Sequence, residues 1–302
     1  MRNDNTAIYI KIPAKRCFIA NVLVNCLRGL AAGLFVLLAL HANAVAVELG
    51  LDEVRAALGD EAREITVKEP HMKCGRDGCT VTYVGIPLEK LMQHYFPDTW
   101  KGFNGVIHFS ARDGYLAAVD TNKVRDHDAY LTFSRADGKP FIIDNVRQNE
   151  QNVPLGPFYL VWGNLKDPEL QKQGAYGWPY QVVEMELLPS TVYDRLLPAD
   201  ASPAVREGFE DWKTYCMACH QIDGIGGMKN PVDLRYLLRG KSREVLRAWI
   251  SCPDSLRPGT TMPPLNVNLD SRERRQVTER ILDYLESLQQ NLPDSNTGNN
   301  GR

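Results

Sequence analysis

Hydrophobic and polar positions change period once along the body of this chain. Between residues 47 and 190 the apolar residues alternate with polar ones or come in short unbroken runs, the signature of strands. The runs are Glu64–Val67, Thr80–Val84, Gly105–Phe109, Tyr115–Val119, Tyr130–Phe133, Phe158–Trp162 and Tyr180–Leu187. Asp113-Gly114 and Asp137-Gly138 are turn signals, with Asp113 and Asp137 read as turn residues. Asp52–Leu58 and Pro87–Tyr95 have helical spacing, so the region is expected to be α+β. From residue 203 the period becomes helical throughout. Ser202-Pro203 starts a helix in which Val205, Gly208, Phe209 and Trp212 recur up to Cys216. A short helix is expected after Pro231, another over Ser242–Cys252, and a last one from Asp270 to Gln290. That last helix carries the stripe Val277, Ile281, Leu282, Tyr284, Leu285 and Leu288. The expected fold class is therefore two-domain: an α+β domain over 47–190, a linker over 191–202, and an all-α domain over 203–292. Residues 293–302, rich in Asn and Gly, read as a disordered tail.

Residues 1–44 stand apart from both patterns. A basic stretch ending at Arg28 precedes the apolar run Leu30–Leu40 and the small-x-small sequence Ala42-Asn43-Ala44. This is the order of a cleaved signal peptide. An uncleaved anchor would place Arg28 inside the span, which is costly, so the expectation is export to the periplasm with no stable membrane span afterwards. Charge sharpens the picture. The whole chain has a net charge of −2, and no long basic run argues for nucleic acid. Residues 45–199 hold 16 basic and 22 acidic groups, whereas residues 200–302 balance at 14 and 14. The acidity sits in the strand-rich half.

Export changes how the seven cysteines are read. Cys17 and Cys26 would leave with the leader, and five remain in an oxidising compartment. Cys216-Met217-Ala218-Cys219-His220 has the C-x-x-C-H spacing of covalent haem attachment. Two thiols so spaced can form thioethers with the vinyl groups of one haem edge, and the following histidine becomes an axial iron ligand. A redox dithiol would not need His220. A structural zinc would need four ligands, and this half offers only Cys252 besides. Met262, in Pro258-Gly259-Thr260-Thr261-Met262-Pro263-Pro264, is the expected second axial ligand. Met228, eight residues from His220, is too near to cross to the opposite haem face. A thioether favours the reduced iron, and the flanking prolines stiffen its loop.

With these residues in view, residues 203–290 resemble the class I monohaem cytochromes c. The resemblance implies that Gly208 and Trp212 pack against Ile281 and Tyr284, and that the Pro231 carbonyl orients the imidazole of His220. It also implies that Trp249 and Arg257 flank the haem propionates. Asn230 departs from the family, which has glycine there. In the other half, Tyr83–Leu91, Phe109–Tyr115 and Gly156–Trp162 resemble the molybdopterin-binding fold of sulfite-oxidase-like proteins. That family's Cys-x-Gly-Asn-Arg run is missing, so molybdopterin is not expected. Cys74 and Cys79 instead bracket Gly75-Arg76-Asp77-Gly78. In an exported protein this reads as a disulfide contributing about 2 kcal/mol, against the alternative of a molybdenum thiolate. His71, His94, His108 and His127 have no ligand spacing and read as surface or hydrogen-bonded histidines. Trp162 and Trp178 read as core, and Cys252 as a small buried side chain.

Three function classes follow. The first is a periplasmic c-type cytochrome carrying single electrons on one covalent His/Met-ligated haem, with the acidic half as a docking or scaffold module. Its partner would be a redox protein, a periplasmic dehydrogenase or another cytochrome. The second is a molybdenum–haem oxidoreductase acting on a small oxyanion such as sulfite. The third is a sensor or assembly module. No complete catalytic centre is found in the strand-rich half, so no catalytic residue is assigned there.

Overall fold

Five consecutive apolar residues, Phe158–Trp162, form a strand buried on both faces, and the large sheet is built on either side of it. The computed structural model describes residues 45–74, 78–97 and 99–290. The expected leader over 1–44, the Gly75-Arg76-Asp77 turn and the tail over 293–302 lie outside the described residues. The strands are β1 (Val45–Glu48), β2 (Arg63–Glu69), β3 (Cys79–Pro87), β4 (Gly105–Ala111), β5 (Leu116–Asp120), β6 (Ala129–Arg135), β7 (Ile142–Asn145), β8 (Glu150–Pro154), β9 (Phe158–Trp162) and β10 (Tyr180–Pro189). The large sheet runs β2-β3-β6-β9-β10-β4-β5, with β1 also on β10, and every pairing is antiparallel. β10 is the pivot. Tyr180 and Val182 pair with β9, and after a register shift Glu184–Pro189 pair with β4, which curls the sheet. β7 and β8 form a separate hairpin.

Helices α1 (Leu51–Leu58) and α2 (Leu88–Tyr95) fall on the segments with helical spacing. α3 (Thr121–Asp126) and α4 (Pro168–Gln173) are six-residue helices, each started by an aspartate that caps a backbone N–H. The C-terminal part holds α5 (Pro203–Tyr215), α6 (Leu234–Leu238), α7 (Arg243–Ser251), α8 (Pro253–Leu256) and α9 (Ser271–Gln290), with the two-residue strands β11 (Gln221–Ile222) and β12 (Ile225–Gly226). α5 crosses α9 at Gly208, where any Cβ would overlap the Arg280 carbonyl. Trp212 and Tyr284 close the crossing at 5.7 Å between ring centroids. Among the described residues no helix is long and apolar enough to cross a membrane.

Two expectations are corrected here. The C-terminal helices do not make a separate all-α cytochrome domain after a free linker, and the two-domain architecture implied by the two family resemblances is replaced by one α+β unit over residues 42–302. The reason lies in the packing. Val106 of β4 and Leu188 of β10 belong to the same hydrophobic core as Phe209, Trp212, Ile281 and Tyr284. Residues 190–196 form a 3₁₀ helix whose Tyr193 and Leu196 are buried in that core. The Tyr193 hydroxyl meets His108 Nε2 of β4 at 2.7 Å.

That last contact carries a pH prediction. Burial pushes His108 down from 6.5 to about 4. A histidine kept neutral in the fold but protonated when unfolded costs stability as pH falls through 6.5, levelling off below about 4, for roughly 3 kcal/mol in all. His108→Gln should flatten this part of the stability curve. Denaturant unfolding at pH 7 and pH 4.5 measures it, and an equal pH slope in both proteins would refute the assignment.

Candidate functional site

A cavity of about 460 Å³ opens where the sheet meets the C-terminal helices. One wall is the turn that follows α5. Its backbone is bonded within itself, Cys216 N–H to the Trp212 carbonyl and His220 N–H to the Cys216 carbonyl at 3.1 Å. It is also bonded to the sheet. Leu116 N–H donates to the Ala218 carbonyl at 2.9 Å, and Met228 N–H to the Gly114 carbonyl at 2.7 Å. Glycine is required on both sides of this seam: a Cβ on Gly114 would meet the backbone of Met228 at 2.8 Å, and one on Gly227 would overlap the Ala218 carbonyl. Lys229 fastens the seam further, with Nζ 3.0 Å from Asp113 and 3.3 Å from Glu150. Asp113 is thus a turn residue, accepting from Tyr115 N–H, and also half of an ion pair that ties the sheet to the segment after the C-x-x-C-H turn.

A second wall is the loop carrying Met262. Asn149 Nδ2 donates to the Thr260 carbonyl at 2.8 Å, and Thr260 Oγ1 accepts from Met262 N–H at 3.2 Å. Asn266 and Asn268 reach the carbonyls of Lys172 and Gln171 at the end of α4. Both walls therefore depend on the strand-rich half for their position.

The structure brings Cys216, Cys219, His220, Pro231, Trp249, Arg257 and Met262 to this one cavity, although they are spread over 47 residues. Met228 is 57% exposed and does not line it. Cys216 and Cys219 are free and open onto the cavity. Burial pushes the Cys216 thiol up to about 12 and the Cys219 thiol to about 11. Both are held neutral, which disfavours a redox dithiol, since that chemistry needs a low thiol pKa. The role expected of Pro231 is corrected: its carbonyl accepts from Gln221 Nε2 at 2.8 Å, and His220 Nδ1 is buried with no partner. An unpaired buried nitrogen is unusual enough to need an explanation. Among the described residues no three His, Cys, Asp or Glu side chains gather as a metal-holding cluster.

These residues fit a covalently held haem. Its attachment would use Cys216 and Cys219, and its iron would take the His220 imidazole that follows them. Arg147 and Arg257 line the cavity, and among the described residues neither has a carboxylate partner. They are the cations such a site would offer to two carboxylates.

The strand-rich half supplies cavity residues that no pattern had marked: His71, Tyr115, Arg147, Tyr176 and Tyr180. His71 is the sharpest case, since lone histidines without ligand spacing carry no signal. Of the others, His127 pairs with Asp167 at 3.0 Å and His94 packs edge-on to Tyr95. Trp162 and Trp178 are buried, and Trp178 also reaches the cavity wall. Cys74 and Cys79 are disulfide-bonded at the β2–β3 end, with Cα atoms 5.1 Å apart. Cys252, expected to be buried, is exposed at the α7–α8 junction, while Pro253 beside it takes the buried position. No known family model matches the chain, and no curated protein is found to be similar to it.

Proposed function

We propose that the chain is exported, binds one haem covalently through Cys216 and Cys219, and carries single electrons on its iron. One observation supports this reading above the others: a C-x-x-C-H turn and a distant methionine, picked out by ligand chemistry alone, line the same cavity. His220 and Met262 would hold the iron, and Arg147, Trp249 and Arg257 would line the rest of the haem site. The haem supplies one reversible electron. The protein's own part is to hold the ligands, exclude water and present the acidic half to a basic redox partner, so docking should weaken as salt rises.

Molybdenum chemistry has no thiolate to use in residues 47–190, because both cysteines there are joined to each other. Elemental analysis of the purified holo protein should find one iron per chain and no molybdenum; stoichiometric molybdenum would replace this reading with the oxidoreductase one. The same preparation makes a second prediction. Labelling of the unreduced, denatured holo protein should modify Cys252 and no other cysteine. Label on Cys74 or Cys79 would count against the disulfide.

A further inference from the structure

We infer that His71, from the strand-rich half, is an alternate axial ligand for the iron of the proposed haem and takes the position that Met262 leaves. This rests on the haem reading above and deepens it. His71 lines the cavity shared by His220 and Met262. It is only 4% exposed, between the rings of Tyr159 and Tyr180 at 5.9 and 5.7 Å. Its loop is tied at one end by β2 and at the other by the Cys74–Cys79 bridge, so little freedom is lost on ligation.

Glu69 orients the ring. This carboxyl is buried and accepts from the Tyr83 hydroxyl at 2.7 Å, the Tyr159 hydroxyl at 3.0 Å and the His71 backbone N–H at 3.2 Å. His71 Nδ1 lies 2.9 Å from Glu69 Oε1 and 3.1 Å from the Tyr159 hydroxyl. Both contacts are at Nδ1, and among the described residues Nε2 has no hydrogen-bond partner. A buried imidazole that donates one N–H to a carboxylate and leaves the other nitrogen free has the form of a metal ligand, since the carboxylate fixes the tautomer and raises ligand basicity. Coordination would add one Nε2–iron bond and move no proton or electron. The strand-rich half then does more than dock. It holds a nitrogen ligand ready, and a sulfur-for-nitrogen exchange would lower the potential.

The test compares Met262→Ala with Met262→Ala/His71→Ala by absorption spectroscopy and cyanide titration of the ferric proteins. The single variant should stay six-coordinate and low-spin, and should bind cyanide at least tenfold more weakly than the double variant. Added imidazole should restore the low-spin spectrum to the double variant, which shows its cavity intact. Glu69→Gln in the Met262→Ala background should raise cyanide affinity toward that of the double variant. Equal cyanide affinity in single and double variants, with haem present in both, overturns this inference alone. Wild-type protein without covalent haem overturns the haem reading, and this inference with it.

Discussion

Expressed in a host with haem-maturation machinery, the protein should stain for covalent haem on a denaturing gel, with one haem per chain. The stain survives denaturation only if thioethers hold the group, so it separates Cys216 and Cys219 from any non-covalent site. Cys216→Ala/Cys219→Ala should abolish it completely, whereas Cys252→Ala should leave it unchanged because Cys252 is exposed and outside the cavity. The expected effect is all or none. A folded wild-type protein with no stain would end the proposal. Loss of the haem should also lower stability, because the cavity between the two walls would be left without the packing that fills it.

The second large effect concerns Met262. Its replacement by alanine should lower the reduction potential by on the order of 0.1 V, because a thioether favours Fe(II) more than water or nitrogen does. The half-buried side chain sits in a loop pinned by Asn149 at Thr260 and by Asn266 and Asn268 at α4. The loop should therefore survive the loss of the thioether, and the change in potential should report the ligand rather than a collapsed wall. Redox titration followed at the haem absorption bands measures it. An unchanged potential and spectrum would mean that Met262 is not a ligand.

Strand positions were readable where periodicity was strong. β9 occupies the run Phe158–Trp162 itself, and β2, β3, β4, β6 and β10 extend the expected runs by a few residues. β7 and β8 were not readable, because Ile142–Asn145 and Glu150–Pro154 have no alternation and pair only with each other. α3 and α4 were too short to show a helical period, so their aspartate caps were the only signal. The cavity's cysteines, His220 and Met262 were legible because their chemistry is local or rests on rare residue types. His71 and Arg147 were not, since each acts through neighbours that lie far away in sequence.

What the sequence determined by itself is the pair of cysteine motifs, including the one on which the proposed attachment rests. C-x-x-C-H is a contiguous motif whose geometry is set by bond lengths, and Cys74 and Cys79 are close enough in the chain to bond across one turn. Helix α9 and strand β9 likewise follow from their own side-chain periods. What only the tertiary structure decided is how the two halves relate. A residue count and a change of period suggested two domains, but neither can show that Val106 and Leu188 of the sheet complete the helical core. Nor can they show that the Asp113-Gly114 turn holds the C-x-x-C-H segment by backbone bonds. Backbone hydrogen bonds between distant segments carry no side-chain pattern, and a shared core leaves the same apolar signal as two separate ones. For the same reason only the fold could bring Glu69-oriented His71 to the cavity that His220 and Met262 line.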